Sequence, residues 1–367
     1  MTTLPFSVNK QNFFSMKLSE APMLSTRPKL RDVADLANVS IGTASQALNN
    51  KSSVLPKTRE RVIQAAQELG YELPIRASST AEKISTLGVL VKTHAHQDTP
   101  IDSFYGAVLS GAEQECKRHN ISLMYASLPV DALSNVIDWP PLTSDQQVDG
   151  WLIMGAFVSK TRGELDQCLQ KPVVLVDAYA LDSYCDMIVT DNWTGAYNAV
   201  VHLIDNGHRC IGLIGSSPNG YPSIRERRQG YLNALADHGI EKTYIENSSL
   251  HSAGARDATQ RLLKRAPEIT GIFACNDDVA IATIHAAHDL GLQVPNDLSV
   301  VGFDDLEHSA EIIPPLTTIA VEKMLMGTLG VRQLLERIKN PERVLLKIAL
   351  GTRLVQRQSV KTIRYNG

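Results

Sequence analysis

The chain contains 367 residues, of which 43% are hydrophobic and 20% charged, and its 36 Lys and Arg against 39 Asp and Glu leave a net charge of −3. This length accommodates two or three domains with sizeable cores. No apolar run is long enough to cross a bilayer, which argues against a membrane-spanning protein and against a membrane as partner.

The charge is unevenly distributed along the chain. Residues 27–76 carry eight Lys and Arg and five Asp and Glu, so this region is basic, whereas the rest of the chain is acidic overall. A small basic module attached to a larger acidic body is what DNA binding by one end of a chain requires. The positive excess is modest, so it supports DNA binding but does not establish it alone.

The N-terminus and the cysteines bear on location and chemistry. Residues 1–26 lack the basic segment, apolar block and cleavage site of a secretory signal, so a disordered tail and a cytoplasmic protein are expected. Five scattered cysteines without a Cys-x-x-Cys pair are typical of reduced thiols rather than of disulfides or a zinc site. The chain shows no cofactor-binding fingerprint and no nucleophile motif, which argues against an enzyme and against a cofactor.

The stretch from Leu30 to Asn49 predicts two short helices joined by a tight turn. Apolar residues recur at helical spacing from Leu30 onward and form one face of the first helix. Asn38 follows and tolerates the positive φ of a turn, and Ser40 can cap a second helix that starts at Ile41. Such a pair forms a helix-turn-helix, whose second helix fits the DNA major groove, but an ordinary helical hairpin fits the pattern equally well.

A third helix is predicted from Pro56 to Leu69. Proline is favoured at a first helical position, and Gly70 ends the helical pattern. Residues 27–72 therefore predict a small three-helix domain. Residues 73–84 are rich in small and polar residues, which predicts a linker.

From residue 85 to residue 362 short apolar runs alternate with helical stretches, which predicts an α/β fold. Runs that are apolar throughout, such as GVLV and VVLV, are typical of parallel strands covered by helices on both faces. About ten such strands are more than one open sheet usually holds, so two doubly wound lobes are predicted. Ligands of such sheets bind at the carboxyl ends of the strands, which makes loops 92–104, 216–228, 276–278 and 304–305 the candidates.

A series of motifs resembles the lactose-repressor-type (LacI) family of bacterial transcription regulators from about Lys29 to Ser359. The matching segments are RDVADLANVS, KTRERVIQAAQELGY, VDGWLIMG, TDNWTGAYNAVVHLIDNGHRCIGLIG, RERRQGYLNAL, IFACNDDVAIATIHAAHDLGLQVPNDLSVVGFDD and PPLTTI. The resemblance implies a helix-turn-helix domain, a hinge at residues 73–84 that folds as a helix on DNA, and a body like periplasmic sugar-binding proteins.

The resemblance also implies how the body is divided and assembled. Lobe one would take residues 85–203 plus 319–339, and lobe two residues 206–314 plus 341–362. The family works as homodimers, in which each protomer reads half of a near-palindromic operator in double-stranded DNA. The chain carries no heptad tail of the kind that forms tetramers in some members, so a dimer is expected.

The resemblance implies DNA contacts from the second helix, its cap and the hinge, at Ser40, Ile41, Gly42, Thr43, Ser45, Gln46, Asn49 and Arg76. Gln46 can pair bidentately with adenine where the family often has an arginine that prefers guanine, and Gly42 presents no side chain. An operator unlike the family's commonest sequence is therefore expected. The hinge lacks the leucine that wedges into the minor groove, which leaves open whether this hinge bends DNA.

For the effector site, the resemblance implies contacts from Phe104, Arg227, Asn276 and Asp304, and Trp193 or Tyr221 is a further aromatic candidate. Acceptors and planar donors at strand ends suit the hydroxyls of a sugar, and Phe104 can stack on a ring face, although a lone aromatic residue is more often part of the core. Asp277 and Asp305 lie beside these positions and fit structural caps as well as effector contacts, so they rank lower. His94 and His96, with Asp98 nearby, do not have the ligand spacing of a known metal site, so a solvated loop is expected there rather than a metal site.

These features predict a sequence-specific DNA-binding transcriptional repressor whose operator affinity is controlled by a small effector, a sugar. The alternative hypothesis is a solute-binding protein of the periplasmic type without regulatory DNA binding. A third hypothesis, an enzyme on the same doubly wound scaffold, has no visible catalytic motif to support it.

Overall fold

The computed structural model describes residues 28–48, 54–71, 84–94, 101–160, 162–180, 184–250 and 252–363. The chain divides into two compact units, residues 1–82 and residues 83–367. Within the described ranges no helix is long and apolar enough to cross a membrane. The predicted tail, Asn49 and the hinge residues 73–83, Arg76 among them, lie outside the described residues.

The first unit contains three helices, as predicted: α1 (Leu30–Leu36), α2 (Ile41–Leu48) and α3 (Pro56–Glu68). Asn38 adopts a φ of 49° in the turn, and the Ser40 hydroxyl accepts a hydrogen bond from the Thr43 backbone N–H at 3.1 Å. The predicted turn and helix cap are therefore confirmed. α3 begins without a side-chain cap, because Leu55 stands at the cap position before the proline.

A small apolar core holds these helices together, formed by Val33, Ala34, Ala37, Ala44, Ala47, Val54, Val62, Ala65 and Ala66. All nine of these side chains are alanine or valine, so the helices can approach closely but bury little apolar area per residue. Such a core is marginal in size, which is common for domains of this length.

The second unit contains two six-stranded sheets within the described residues. In spatial order, the first sheet consists of β13 (Lys347–Leu350), β7 (Asp186–Thr190), β5 (Val173–Val176), β3 (Trp151–Met154), β1 (Thr86–His94) and β2 (Ser122–Val130). The second consists of β14 (Arg353–Val355), β12 (Thr317–Ala320), β11 (Ser299–Asp304), β10 (Gly271–Ala274), β8 (Ile211–Ser216) and β9 (Tyr244–Asn247). A two-stranded sheet pairs β4 (Phe157–Val158) with β6 (Tyr179–Ala180).

All pairings in the two large sheets are parallel except that of β14 with β12. The helices that cover the sheets are α4 (Ser103–Arg118), α5 (Arg162–Leu169), α6 (Asn192–Asp205), α7 (Pro222–Asp237), α8 (Ser252–Arg265), α9 (Asp277–Asp289) and α10 (Lys323–Lys339). The central strands β3, β7, β8, β10 and β11 are buried along their whole length, as the continuous apolar runs predicted. The structure therefore has the predicted two-lobed α/β architecture, in which lobe one contains the first large sheet and lobe two the second.

Three elements depart from the predicted division between the lobes, α6 and β13 in their lobe and β12 in the place of the boundary. α6 was assigned to lobe one, but it packs against α7 and against β10 and β11 of lobe two. β12 begins at Thr317 and pairs with β11, so lobe two keeps this strand. β13 was assigned to lobe two, but it pairs with β7 of lobe one. The chain thus crosses between the lobes directly after β7. The position of this crossing depends on tertiary packing, which apolar sequence patterns do not specify.

Candidate effector and DNA sites

A cavity of about 590 Å³ lies between the strand ends of the two lobes. Each of the four predicted loops contributes to the cavity lining. Loop 92–104 contributes Lys92 and Phe104, loop 216–228 contributes Gly220 and Arg227, and the two short loops contribute Asn276 and Asp304. The carboxyl ends of the parallel strands in both sheets therefore face one shared site, as expected for doubly wound sheets.

Arg227, on the second turn of α7, is held rigidly in this cavity. Its Nη2 lies 3.2 Å from Oδ1 of Asp304, and its Nε donates to Oδ1 of Asn192 at 2.9 Å. Nη1 donates to the Cys275 carbonyl, and the guanidinium lies 3.7 Å from the ring centroid of Phe303. A planar donor fixed on several sides in this way presents its remaining edge to a ligand without loss of side-chain entropy.

Asp304, the last residue of β11, combines burial with an unusual backbone. It is 7% exposed and its φ is 111°, a region that residues other than glycine rarely adopt. The ammonium of Lys323 donates to the carbonyls of Asp304 and Asp305, which holds the backbone in place. Backbone strain of this kind tends to occur at ligand sites, where the surrounding structure stabilises it.

The Asp304 carboxylate is an incompletely used acceptor. Its Oδ1 makes no well-aligned hydrogen bond within the described residues, although Arg227 lies within ion-pair distance. Burial raises the pKa of Asp304 to about 7, and the neighbouring Arg227 opposes that rise. A ligand hydroxyl that donates to Oδ1 would supply the missing hydrogen bond and favour the charged form.

Asn276 and Phe104 also line the cavity, as predicted. The Oδ1 of Asn276 caps α9 by accepting from the Val279 N–H at 2.8 Å, so its Nδ2 is the group that can donate to a ligand. Phe104 is half-buried and packs edge-on against Tyr105, with ring centroids 5.0 Å apart.

Trp193 does not line the cavity, which corrects its predicted place among the effector contacts. Its side chain is 39% exposed, its Nε1 donates to Oδ1 of Asn233 at 3.0 Å, and its ring stacks on Tyr197. Trp193 lies in the first turn of α6 and packs towards α7, so the position of α6 against lobe two turns the indole away from the site.

Two acidic residues next to the site, which the sequence left open between structural caps and effector contacts, make structural contacts. Asp277 is buried and accepts hydrogen bonds from the Thr318 hydroxyl, from the Ser309 hydroxyl at 2.6 Å and from the Leu306 N–H at 2.8 Å. Asp305 pairs with Arg357 at 2.6 Å. Neither residue lines the cavity.

Sequence patterns missed a second cluster, which lobe one contributes. The Tyr105 hydroxyl donates to Oδ2 of Asp177 at 2.7 Å, and the ammonium of Lys92 lies 5.0 Å from the Tyr105 ring centroid. Asp177 directly follows β5, just as Asp304 is the last residue of β11. A polar residue at the end of a buried strand was therefore the sequence signal that could have identified Asp177. Burial raises the pKa of both Asp177 and Tyr105.

Tyr221 connects the two lobes across the cavity. It stands at the cap position of α7 in lobe two, and its hydroxyl donates towards the carbonyls of Asp177 at 2.9 Å and Ala156 at 3.1 Å in lobe one. Its ring packs edge-on against Tyr179 at 5.3 Å. The cleft is therefore bridged by a side chain that also lines it.

The face of α2 predicted to read DNA is presented to solvent. Ser40, Ile41, Gly42 and Gln46 are exposed, and Thr43 and Ser45 are half-buried. The Thr43 hydroxyl lies 2.8 Å from that of Ser40, so these two groups are ordered at the start of the helix. An exposed polar face opposite a buried alanine face is what a recognition helix requires.

His94, from the histidine motif, lines the cavity, whereas His96 and Asp98 lie outside the described residues. Within the part of the chain that the structure describes, no group of His, Cys, Asp and Glu is arranged to hold a metal ion.

Comparisons with known proteins match both units of the chain. Residues 29–72 match the model of bacterial regulatory proteins of the lacI family, and residues 200–360 match the periplasmic binding protein-like domain. The ribose operon repressor of Haemophilus influenzae is 32% identical over 339 residues, which cover 91% of this chain and 99% of that protein. The HTH-type transcriptional repressor PurR of Mannheimia succiniciproducens is 30% identical over 340 residues, with 91% and 99% covered.

Among solved structures, a LacI family transcriptional regulator from Enterococcus faecium with bound ribose matches with a TM-score of 0.64 and 26% identity, covering 76% of this chain and 100% of that one. A helix-turn-helix unit, a two-lobed body with a strand-end cavity and near-complete alignment with named repressors agree with one another. The chain therefore belongs to the LacI family of bacterial regulatory proteins, as a DNA-binding transcriptional repressor.

Proposed function

We propose that this repressor binds a small polyhydroxylated molecule of the carbohydrate class in the cavity between its lobes, and that the bound molecule controls its affinity for operator DNA. The observation that carries the proposal is the Arg227–Asp304 pair, in which a rigid planar donor lies beside a buried carboxylate with unused acceptor capacity. The regulator from Enterococcus faecium with bound ribose and the ribose operon repressor support the same ligand class.

The cavity chemistry suits hydroxyl groups because each hydroxyl both donates and accepts. Asp304 offers an acceptor, whereas Arg227 and the Nδ2 of Asn276 offer donors. The ring of Phe104 offers an apolar surface to the C–H face of a sugar ring. A few convergent polar groups within a partly aromatic lining are typical of small-ligand sites.

Control of DNA binding follows if the ligand favours one arrangement of the lobes over another. A ligand that contacts Arg227 and Asp304 in lobe two and Phe104 in lobe one binds best when the lobes have one particular spacing. The Tyr221 hydroxyl, which bridges the lobes, is placed to respond to that spacing. A coupling of about 1–3 kcal/mol would change operator affinity roughly 5- to 150-fold.

The protein acts in the cytoplasm as a homodimer, with one recognition helix on each half of a near-palindromic operator, and it releases its ligand chemically unchanged. The family match over residues 29–72 supports DNA recognition over the solute-binding alternative. Family members named as repressors support the absence of turnover.

The test of effector control uses the full-length protein and an operator selected from random duplex DNA. Operator affinity is measured at fixed salt with and without each sugar that raises the melting temperature in a screen of pentoses, hexoses and sugar acids. We expect at least one binder to change operator affinity within the roughly 5- to 150-fold range of such couplings. Unchanged affinity with every binder would contradict effector control.

Replacing Gln46 with Ala is expected to weaken operator binding about 10-fold, since a bidentate contact to a base edge is worth about 1–3 kcal/mol. The variant should bind random-sequence DNA as tightly as the wild type, because a base contact adds little to phosphate binding. Gln64→Ala is the matched control, because Gln64 is also an exposed glutamine but lies on α3 and donates a hydrogen bond to Glu68. Equal operator affinity of the Gln46 and Gln64 variants would exclude Gln46 from base recognition.

A further inference from the structure

Lys92 places a positive charge inside the effector cavity. It lies near the end of β1, where the strand runs into the cavity lining. Its ammonium sits between two aromatic rings, 5.0 Å from the centroid of Tyr105 and 5.3 Å from that of Tyr221. These rings favour a cation but provide no hydrogen-bond acceptor of ordinary strength.

The carboxylates of the cavity are engaged elsewhere. Asp102 accepts from the Tyr105 N–H at 2.9 Å, and Asp177 accepts from the Tyr105 hydroxyl at 2.7 Å. Asp278 lies 3.2 Å from the His308 ring, and Asp304 lies 3.2 Å from Arg227. Among the residues that the structure describes, Lys92 therefore has neither a hydrogen bond nor an ion pair, although it lines a polar cavity.

Such an ammonium is unfavourable without a counter-charge. Burial lowers the pKa of Lys92, while the negative charges of Asp177, Asp102 and Asp304 act in the opposite direction. Desolvation of an ammonium that makes no hydrogen bond destabilises its charged form. A ligand that brought an anionic oxygen to Lys92 would remove this penalty, and binding would gain accordingly.

The remaining charges restrict the kind of anion. Arg227 is already committed to Asp304, Asn192 and the Cys275 carbonyl, so Lys92 is the single unpaired cation that the described lining offers. One cation among four nearby carboxylates suits a singly charged group better than a dianionic phosphate. Burial also raises the pKa of Asp177, which reduces its repulsion of a second carboxylate.

We propose that the effector is a sugar acid, whose carboxylate binds the ammonium of Lys92 while its hydroxyls bind Arg227, Asn276 and Asp304. This inference rests on the proposed function, because it names the ligand class of the same cavity. The carboxylate faces lobe one and the hydroxyls face lobe two, so an acidic sugar contacts both lobes at once.

Full-length protein is titrated by calorimetry with D-galacturonate, D-glucuronate and D-gluconate and with their uncharged counterparts D-galactose, D-glucose and D-glucitol, at matched ionic strength. D-Galactose 6-phosphate and D-glucose 6-phosphate form a third arm. We expect one of the carboxylates to bind roughly 10- to 100-fold more tightly than its uncharged counterpart. Equal affinity for the two, binding by none of the three acids, or tighter binding of a phosphorylated sugar overturns the proposal.

Variants then assign the selectivity to Lys92. Lys92→Met removes the charge at similar length, and the ratio of acid to neutral affinity should fall to about 1. Lys92→Arg should keep the preference for the acid, and Lys117→Met, at an exposed lysine on α4, should leave the ratio at the wild-type value. A Lys92→Met protein that keeps the wild-type ratio of acid to neutral-sugar affinity overturns the proposal. If that variant does not fold, the ratio measured for the wild-type protein decides the ligand class.

Operator affinity separates this inference from the function it rests on. A neutral sugar that binds and changes operator affinity would overturn the acidic class but uphold effector control. A sugar acid that binds through Lys92 without any change in operator affinity would uphold the acidic ligand class but overturn effector control.

Discussion

Replacing Asp304 with Asn is expected to weaken effector binding by about 100-fold or more. The substitution removes a buried negative charge beside Arg227 and turns a charged acceptor into a neutral amide. A hydrogen bond from a ligand hydroxyl to a charged acceptor contributes about 1.5–3 kcal/mol, and about 2.7 kcal/mol corresponds to 100-fold. Asparagine tolerates positive φ, so the change is chemical rather than conformational.

Calorimetric titration with the effector from the screen measures this loss, and Asp305→Asn is the matched control. Asp305 also has a positive φ, of 54°, but it pairs with Arg357 and does not line the cavity. We expect less than about a 3-fold change for this control, as for a residue without ligand contact. Similar affinities in the Asp304 and Asp305 variants would remove Asp304 from the site.

Effector affinity should also depend on pH through Asp304. Burial raises the pKa of this carboxyl to about 7, so its charged form becomes depopulated as the pH falls from 8 to 6. A ligand hydroxyl that donates to the carboxylate favours the charged form, and affinity should therefore weaken over that range. The Asp304→Asn protein should lack this part of the pH dependence.

Replacing Gly111 with Ala is expected to destabilise the second unit by about 3 kcal/mol, which lowers the melting temperature by roughly 5–10 °C. A Cβ at this position would lie 2.0 Å from the Met324 carbonyl oxygen and 2.7 Å from its carbon. These atoms belong to the backbone of α10, so α4 and α10 would have to separate. Gly327 on α10 is equally close to the Val108 carbonyl, so the helices meet through glycines on both sides.

Gly106→Ala on the same helix provides the control. No atom lies within 4 Å of a Cβ built at Gly106, so the substitution should be neutral or stabilise the protein by up to about 1 kcal/mol. Thermal unfolding of both variants and the wild type measures the difference. Equal melting temperatures for the two variants would show that the helix crossing is not close-packed.

Local signals in the sequence predicted the helix-turn-helix to within a residue or two. Asn38 in the turn, the Ser40 cap and Pro56 at a helix start each act within a few residues of themselves. Most buried strands were predicted equally well, because parallel strands covered on both faces are apolar throughout. The buried strand β12, which begins with two threonines, was not predicted. The half-exposed edge strands β13 and β14 carry no such run and were not predicted.

The residues of the effector site were predicted only in part. Arg227, Asn276 and Asp304 matched family motifs, and the structure brings all three to one cavity. Asn276 and Asp304 lie at or just after the ends of buried strands, whereas Arg227 lies in α7. Lys92 lies in the predicted loop 92–104 but was not singled out, and Asp177 was not predicted, because no local pattern states which side chains of the two lobes face each other. The prediction for Trp193 was wrong for a related reason, because the face that a helix buries depends on the neighbour against which it packs.

The sequence by itself thus determined the fold class, the helix-turn-helix and the loops that carry ligand-binding groups, since periodicity, caps and strand ends are properties of short segments. Only the tertiary structure decided which lobe holds α6, β12 and β13, and that Tyr221 bridges the cleft. It also decided that Lys92 faces the cavity without a partner among the described residues. These features arise where segments distant along the chain meet, and the free energy of such contacts depends on both partners at once.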